Sequence, residues 1–482
     1  MAEPMTDEEV AEVVANLYTL HLSERVMLDR IYGYTKGVLG APEVPESAGA
    51  EVKTIAKLSV RNMLPLVRDS FVQNLSATGY RPAAASDDDP AWAMWQRNRM
   101  DARQAEVFRP AVTYGASYVA VLPSDRGPRF YPRSPRQLLA VYDDPGYDLW
   151  PQYSLETWIS KADAKPRRRG RLLDDEYIYD LELGEIPREQ GIDPNRSTPL
   201  TITAVADPRP HGGRYDGKPV CPVVRFVSMR DEDDQIVGEV APLIRLQKAV
   251  NEVNFDRMIV ARFGAFPQKV ITGWQGSADE EAKASARRVW SFEDPDVKAF
   301  TLDAASLAGY NEVLQEMSEF VAMVAQISPS QVTGKIVNVS AEALAAAEAN
   351  QQRKLAAMRD SFGESVEQLL RLGAEMDGDA ETAADSGAEV IWRDTEARSF
   401  PTVVDGVTKL SSVGVPIEEL LFMVPGMTQQ KMQTIRQALR AGQVSDLVST
   451  LRASATAATA DPMVNQLASR TTPPEPDSGF GN

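Results

Sequence analysis

A chain of 482 residues, 43% hydrophobic and 25% charged, can bury more than one core and carries no apolar run near the roughly 20 residues needed to span a bilayer. With 51 Lys and Arg against 69 Asp and Glu, its net charge of -18 excludes a protein that grips nucleic acid through bulk positive charge. Two histidines, His21 and His211, and one cysteine, Cys221, exclude most imidazole catalysis, the common zinc sites and any internal disulfide.

The acidic start MAEPMTDEEVAE lacks the basic-then-apolar order of a secretion signal, so export is not expected. Thr6 and Glu9 form a capping box, and Val10, Val13, Val14, Leu17, Leu20, Leu28 and Ile31 follow at helical spacing, which predicts an amphipathic helix over 6–36. A second helix is expected over 52–75, closed by TGYRP, and a third, with Trp92, Trp95, Met100, Val107 and Phe108, ends near Tyr114-Gly115. Beyond Ala116 the period changes. SYVAVLP, QLLAVYDD, EYIYDLEL, LTITAVAD and PVVRFVSM are short β-branched or aromatic runs between Pro, Gly and Asp clusters, and they predict antiparallel strands in an α+β fold.

Helical spacing returns over 238–262 with Val240, Leu243, Leu246, Val250, Val253 and Met258. A compact αβ insertion over 266–306 reads as strand PQKVITGW, helix DEEAKASARRVW and strand VKAFTL. YNEVLQEMSEFVAMVAQIS is a helix stopped by Pro329, and Ser340 can cap a longer one whose Leu344, Leu355, Met358, Phe362, Val366 and Leu369 continue to Leu372. That helix is roughly 33 residues, about 50 Å, long. Its apolar stripe reads as packing. The polar MDGDAETAADSGA leads to the strand EVIWRD, a helical part over 403–451 and the end TTPPEPDSGFGN, which reads as disordered.

Four stretches invite chemistry. ISPSQVTGKIVNVS, 327–340, contains Gly334-Lys335, but a P-loop needs a Gly five places before its Gly-Lys and a hydroxyl after the Lys, where this chain has Pro329 and Ile336. Nucleotide binding is excluded, leaving a Pro- and Gly-containing break between helices. Asp231-Glu232-Asp233-Asp234 could hold a divalent metal in a nuclease or form an acidic turn between a strand and a helix; the turn is favoured because catalytic clusters draw on several elements, and Asp87 to Asp89 and Asp143-Asp144 read the same way. KPRRRGR, 165–171, could bind DNA or an acidic partner, but with no interleaved aromatics to stack on bases it reads as a solvated loop. Neither histidine has a second His or Cys nearby in sequence and no serine has an identifiable base, so no catalytic centre and no cofactor are expected.

The order of RNMLPLVRDSFVQNLSATGY, YGASYVAVLPSDRGPRFYPRSPRQLLAVYDD, PVVRFVSMRDEDDQIVGEVAPLIRLQKAVNEVNFDRMIVARFGAFPQKVITG, SAEALAAAEANQQRKLAAMRDSFGESVEQL and VIWRD, across roughly residues 10–450, resembles the portal (head-tail connector) protein of tailed double-stranded-DNA bacteriophages. The resemblance implies a portal-like α+β architecture: a wing over 1–237, a first stem helix over 238–265, a clip over 266–308, a second stem helix over 309–327, a tunnel loop over 328–340, a long helix and return strand of the wing over 341–398, and a helical crown over 399–455, ahead of a disordered tail, 456–482.

The same resemblance implies a noncatalytic subunit of a homo-oligomeric ring of about twelve copies at one capsid vertex. Double-stranded DNA would be packed and ejected through that ring without sequence specificity. The implied partners are the packaging ATPase (large terminase), a head-tail adaptor, and the major capsid and scaffold proteins, with no membrane and with assembly in the host cytoplasm. By the same resemblance Gln331, Val332, Thr333, Gly334, Lys335, Ile336, Val337 and Asn338 would face DNA, and Glu280, Glu281, Lys283, Arg287 and Arg288 would dock partners. Plain solvent exposure explains Lys335 and the charged clip helix equally well. The rival readings are a metal-dependent nucleic-acid enzyme using Asp231, Asp233 and Asp234, and a virion scaffold or adaptor without a DNA channel.

Overall fold

Thr6 starts the first helix, α1 (Asp7–Thr35), through the expected reciprocal cap: its hydroxyl accepts from the Glu9 amide, and the Glu9 carboxylate accepts from the Thr6 N–H at 2.8 Å. The computed structural model describes residues 3–83, 90–161, 167–185, 201–264, 269–272, 298–301, 306–334, 341–395, 400–416, 420–421, 424, 427 and 429–440. The chain divides into two units, Met1–Glu396 and Ala397–Asn482. No described helix is long and apolar enough to cross a membrane.

Where one helix is expected over 52–75, two form, α2 (Ala50–Leu58) and α3 (Leu64–Val72). Pro65 lies in the first turn of α3, where its missing N–H costs nothing, so the chain must break before it. TGYRP is more than a stop, since Ala77–Arg81 forms β1. The third expected helix also divides, into α4 (Pro90–Arg97) and α5 (Met100–Tyr114), and α5 ends on Gly115 at φ +100, a conformation that favours glycine.

The β region contains β2 (Ala116–Leu122), β3 (Arg129–Arg133), β4 (Leu138–Val141), β5 (Tyr153–Ser160), β6 (Arg167–Leu173), β7 (Tyr177–Glu185), the two-residue strands β8 (Ala204–Val205), β9 (Arg209–Pro210), β10 (Arg214–Tyr215) and β11 (Lys218–Pro219), and β12 (Val223–Val227). All pairs among them are antiparallel: β12-β2-β3 in one sheet, β4-β5-β6-β7-β8 with β9 on β7 in another, and the β10-β11 pair. The α+β expectation therefore holds.

One expectation fails here. From Arg167 onward the KPRRRGR run is strand β6 and not a solvated loop. Its outward side chains meet carboxylates of β7, Arg171 with Asp180 at 2.8 Å and Arg167 and Arg169 with Glu182 at 3.6 and 3.9 Å, while Arg168 and Leu172 turn inward and are buried. Inside, Leu139, Leu155, Leu172, Tyr179 and Leu181 pack against Val10, Val14, Leu17 and Tyr18 of α1.

Past β12, a 3₁₀ turn at Ala241–Leu243 around Pro242 leads into α6 (Ile244–Phe263). The strands β13 (Lys269–Thr272) and β14 (Lys298–Thr301) pair antiparallel, followed by α7 (Ala308–Ala325), α8 (Pro329–Thr333), α9 (Ala341–Asp377), α10 (Ala380–Ala384) and β15 (Glu389–Trp392). Pro329 does not stop the preceding helix. α7 ends earlier, on Gln326 at φ 59, and Pro329 opens α8, in the first-turn position that suits proline. β15 pairs with β1, placing Arg81 opposite Glu389.

α9 runs through the main core for 37 residues, about 55 Å at 1.5 Å per residue, with Leu355, Met358, Phe362, Val366 and Leu369 buried as its stripe predicts. Phe362 stacks on Phe108 at 5.2 Å. Each such side chain is worth roughly 1.5–3 kcal/mol of burial. In the second unit, Val403 and Val407 of α11 (Phe400–Ser412) cluster with Leu420, and α12 (Gln429–Arg440) follows.

Candidate functional site at the helical junction

α6 and α7 pack together, joined by Arg257, which donates to Asn311 Oδ1 at 3.1 Å. The buried edge of α6 is an amide ladder. Gln247 accepts from the Met63 N–H at 2.8 Å and donates to the Arg61 carbonyl at 2.7 Å, Asn251 accepts from the Arg61 N–H at 3.0 Å, and Asn254 donates to the Ser59 carbonyl at 2.7 Å. The break between α2 and α3 thus finds its missing partners on a distant helix, as buried backbone groups must.

From α7 the chain passes through α8 into α9. Ile327 and Val332 are buried in the main core. Gln331 donates to Gln351 of α9 at 3.0 Å, and Gln351 donates to the Ser70 carbonyl of α3 at 3.1 Å. Gly334, exposed and at φ +67, closes α8 with its N–H on the Ser330 carbonyl at 2.9 Å. Of the residues expected to face DNA, Gln331 and Val332 are held by the core and Thr333 and Gly334 reach the surface. Lys335, Ile336, Val337 and Asn338 lie outside the described residues, as do Glu280, Glu281, Lys283, Arg287 and Arg288.

At the root of α6, Gly238 lies against Gly115, and Glu239 meets Lys354 of α9. Burial pushes the Glu239 carboxyl up, while the Lys354 ammonium acts in the opposite direction.

α7 is apolar on two sides. Leu314, Ser318, Val321, Ala322 and Ala325 face inward, while Val313, Phe320, Met323 and Val324 stay exposed beside Glu312, Glu316 and Glu319, on a helix without Lys or Arg. Sequence reasoning missed this second stripe; its signal is the 313, 320, 324 spacing, a helical repeat offset from the buried one.

The acidic run at 231–234 forms a turn. Asp231 Oδ1 accepts from the N–H groups of Asp233 and Gln235 at 3.0 and 2.8 Å, and Asp234 takes φ 58. Asp144 is spent similarly on Gly146 and Tyr147, and Asp87 to Asp89 lie outside the described residues. Among the described residues no three His, Cys, Asp or Glu side chains form a group able to hold a metal ion. His21 is buried with Nε2 on the Pro135 carbonyl at 2.9 Å. His211, also buried, accepts from the Gly213 N–H at Nδ1 and donates from Nε2 to the Asp174 carbonyl. Burial pushes the Cys221 thiol up, leaving it an unreactive core group.

A family profile described as phage portal protein, SPP1 Gp6-like, matches residues 60–444. The portal protein of Mycobacterium phage D29 is 24% identical over 364 residues, covering 72% of this chain and 71% of the relative. The portal protein of Mycobacterium phage L5 is 24% identical over 451 residues, 90% of this chain and 89% of the relative. Among solved structures, a chain of the virion of a native gene transfer agent particle aligns with a TM-score of 0.41 at 11% identity, covering 82% of this chain and 100% of that one.

Proposed function

Because the chain belongs to the phage portal protein family of the SPP1 Gp6-like type, we propose that it forms a closed homo-oligomeric ring at one capsid vertex, through which double-stranded DNA is packed and later ejected. The observation that carries this reading is the family match across residues 60–444. Portal proteins are structural virion components that work as oligomers in phage capsid assemblies.

In this reading α6 and α7 are the stem, the insertion bearing β13 and β14 is the clip that docks the packaging ATPase and later the head-tail adaptor, and residues 328–340 border the DNA path. The wing is 1–237 with the return strand β15, the long helix is α9, and 399–455 form the crown. Several features support it. The outward stripe of Val313, Phe320 and Val324 is apolar surface that a neighbouring subunit would cover. A charge of -18 per subunit keeps phosphates from adhering to the assembly, and Lys335 adds a lone cation at the break, enough for transient contact. With no phosphate-binding loop in the sequence, the energy for packaging comes from a separate ATPase.

Electron microscopy of the purified protein tests the ring. Closed rings with a central channel are expected; monomers alone, or open filaments, would overturn the proposal.

A further inference from the structure

One flank of the α6 and α7 pair is acidic and apolar, and the other is basic. α7 carries Glu312, Glu316 and Glu319 beside its outward apolar stripe, where Phe320 is 46% exposed, and it has no Lys or Arg. Among the described residues Glu312 and Glu316 meet no cation, and Glu319 takes only the Gln315 amide, at 3.0 Å.

The basic flank is a ridge. It runs from Lys57 and Leu58 at the end of α2 through Arg61 in the break to Lys248 and Arg245 of α6, all exposed, Leu58 by 66%. Lys248 meets Glu43 loosely, at 3.7 Å, and Lys57, Arg61 and Arg245 meet no carboxylate among the described residues. Residues 3–83 and 201–264 are described without interruption, so both segments that build the ridge are seen whole. Lys248 lies about two and a half turns before Arg257, so the two point to opposite sides of α6, Arg257 toward Asn311 of α7. The flanks therefore face apart.

Their heights match. α7 runs back along α6, since Arg257 meets Asn311 near one end and the 3₁₀ turn ahead of α6 also packs on α7. From the Arg257 to Asn311 contact, Glu319 lies about 12 Å along α7 and Lys248 about 13 Å along α6. Arg61, bonded to Gln247 and Asn251 of α6, stands near the height of Glu316. Lys57 and Leu58, just before the Ser59 carbonyl held by Asn254, stand near the height of Glu312 and Val313.

We propose that the acidic, apolar face of α7 in one copy docks on the basic ridge of α2 and α6 in the next copy. A rotation about an axis along these helices carries one flank onto the other at equal height, so glutamates meet cations, and the contact runs head to tail and can close. The Lys57 and Arg61 stems lay hydrocarbon over Val313 and Phe320 while their charged heads reach the glutamates. Glu252 and Asp256 stand further round α6 and repel those glutamates, which seats α7 over α2 and the break, away from bare α6. DNA suits the ridge less, because it would leave Leu58 against water and meet Glu43, Glu252 and Asp256. The proposal rests on the reading of this chain as a ring subunit and adds which two surfaces meet.

The test joins Leu58→Cys and Val313→Cys in the full chain, with oxidation and a non-reducing gel; the native Cys221 is buried and stays silent. The double variant should give a ladder of dimers, trimers and larger species, and neither single variant should. Rings seen by electron microscopy without a ladder, or dimers from either single variant, overturn this contact but leave ring assembly standing. Failure of the unaltered chain to assemble removes both. As a second arm, Arg61→Glu and Glu316→Arg should each lower the assembled fraction about tenfold at fixed concentration, and together restore it. Losses that simply add would overturn the pairing. Arg61→Glu that leaves assembly intact but abolishes binding of a short DNA duplex would make the ridge a nucleic-acid face and sink the proposal.

Discussion

Lys354 of α9 places its ammonium 2.5 Å from Glu239 Oε2, and both side chains are largely shielded from water. Glu239 also donates its N–H to the Val112 carbonyl at 2.9 Å, so the pair fastens the long helix to the root of α6 and the end of α5 together.

Lys354→Met should therefore strand a buried carboxylate and cost roughly 3–5 kcal/mol of unfolding free energy, measured by urea denaturation of unassembled subunits. Adding Glu239→Gln should recover most of the loss, since the cost lies in the unpaired charge. If the two losses simply add, the ion pair is not the fastening.

A methyl group on Gly238 would meet the Gly115 nitrogen and the Thr113 oxygen at 2.6 Å, and neither backbone atom can move aside freely. Gly238→Ala should destabilise by at least ~1–3 kcal/mol, seen as a lower melting temperature. Gly309→Ala, in the first turn of α7 with open space around it, should be neutral or stabilising by up to about 1 kcal/mol.

Burial lowers the His21 imidazole from 6.5 to about 4, against a smaller opposing effect of its hydrogen bond to Pro135. The folded state holds this ring neutral. Its contribution to stability is therefore complete above pH 6.5 and is lost as pH falls toward 4, where the unfolded chain takes up a proton that the folded chain refuses. The full swing is on the order of 3 kcal/mol. His21→Gln, which retains a donor for Pro135, should flatten the stability curve in that window, and an unchanged slope would show that other groups govern it.

In reconstituted capsids, Lys335→Glu should shorten the nuclease-protected DNA while rings form as before. Full-length packaging by this variant would make residues 328–340 a passive connector.

The capping box of α1, the buried stripe of α9 and the EVIW strand were all legible, because each is specified by neighbours within a few turns or residues. The break at 59–63 was not: its hydrogen bonds come from Gln247, Asn251 and Asn254, far along the chain. β6 hid for a related reason. A run of arginines reads as solvated until Glu182 and Asp180 are placed opposite by pairing. At the junction, the Pro-Gly break was visible at Pro329 and Gly334, but not that Val332 between them would be drawn into the core. Nor did local pattern distinguish the face of α7 that packs within the subunit from the face left outward.

β1 and β15 pair across the chain, Arg81 beside Glu389. At ribosomal rates of about 5–20 residues per second, β1 waits roughly 15–60 s after its own synthesis before its partner exists. During that interval the nascent chain carries an open strand edge, the kind of surface that recruits stray strands. A message truncated before residue 389 leaves the edge open permanently, so shortened products are predisposed to aggregate, and only a chain translated past β15 can close this sheet.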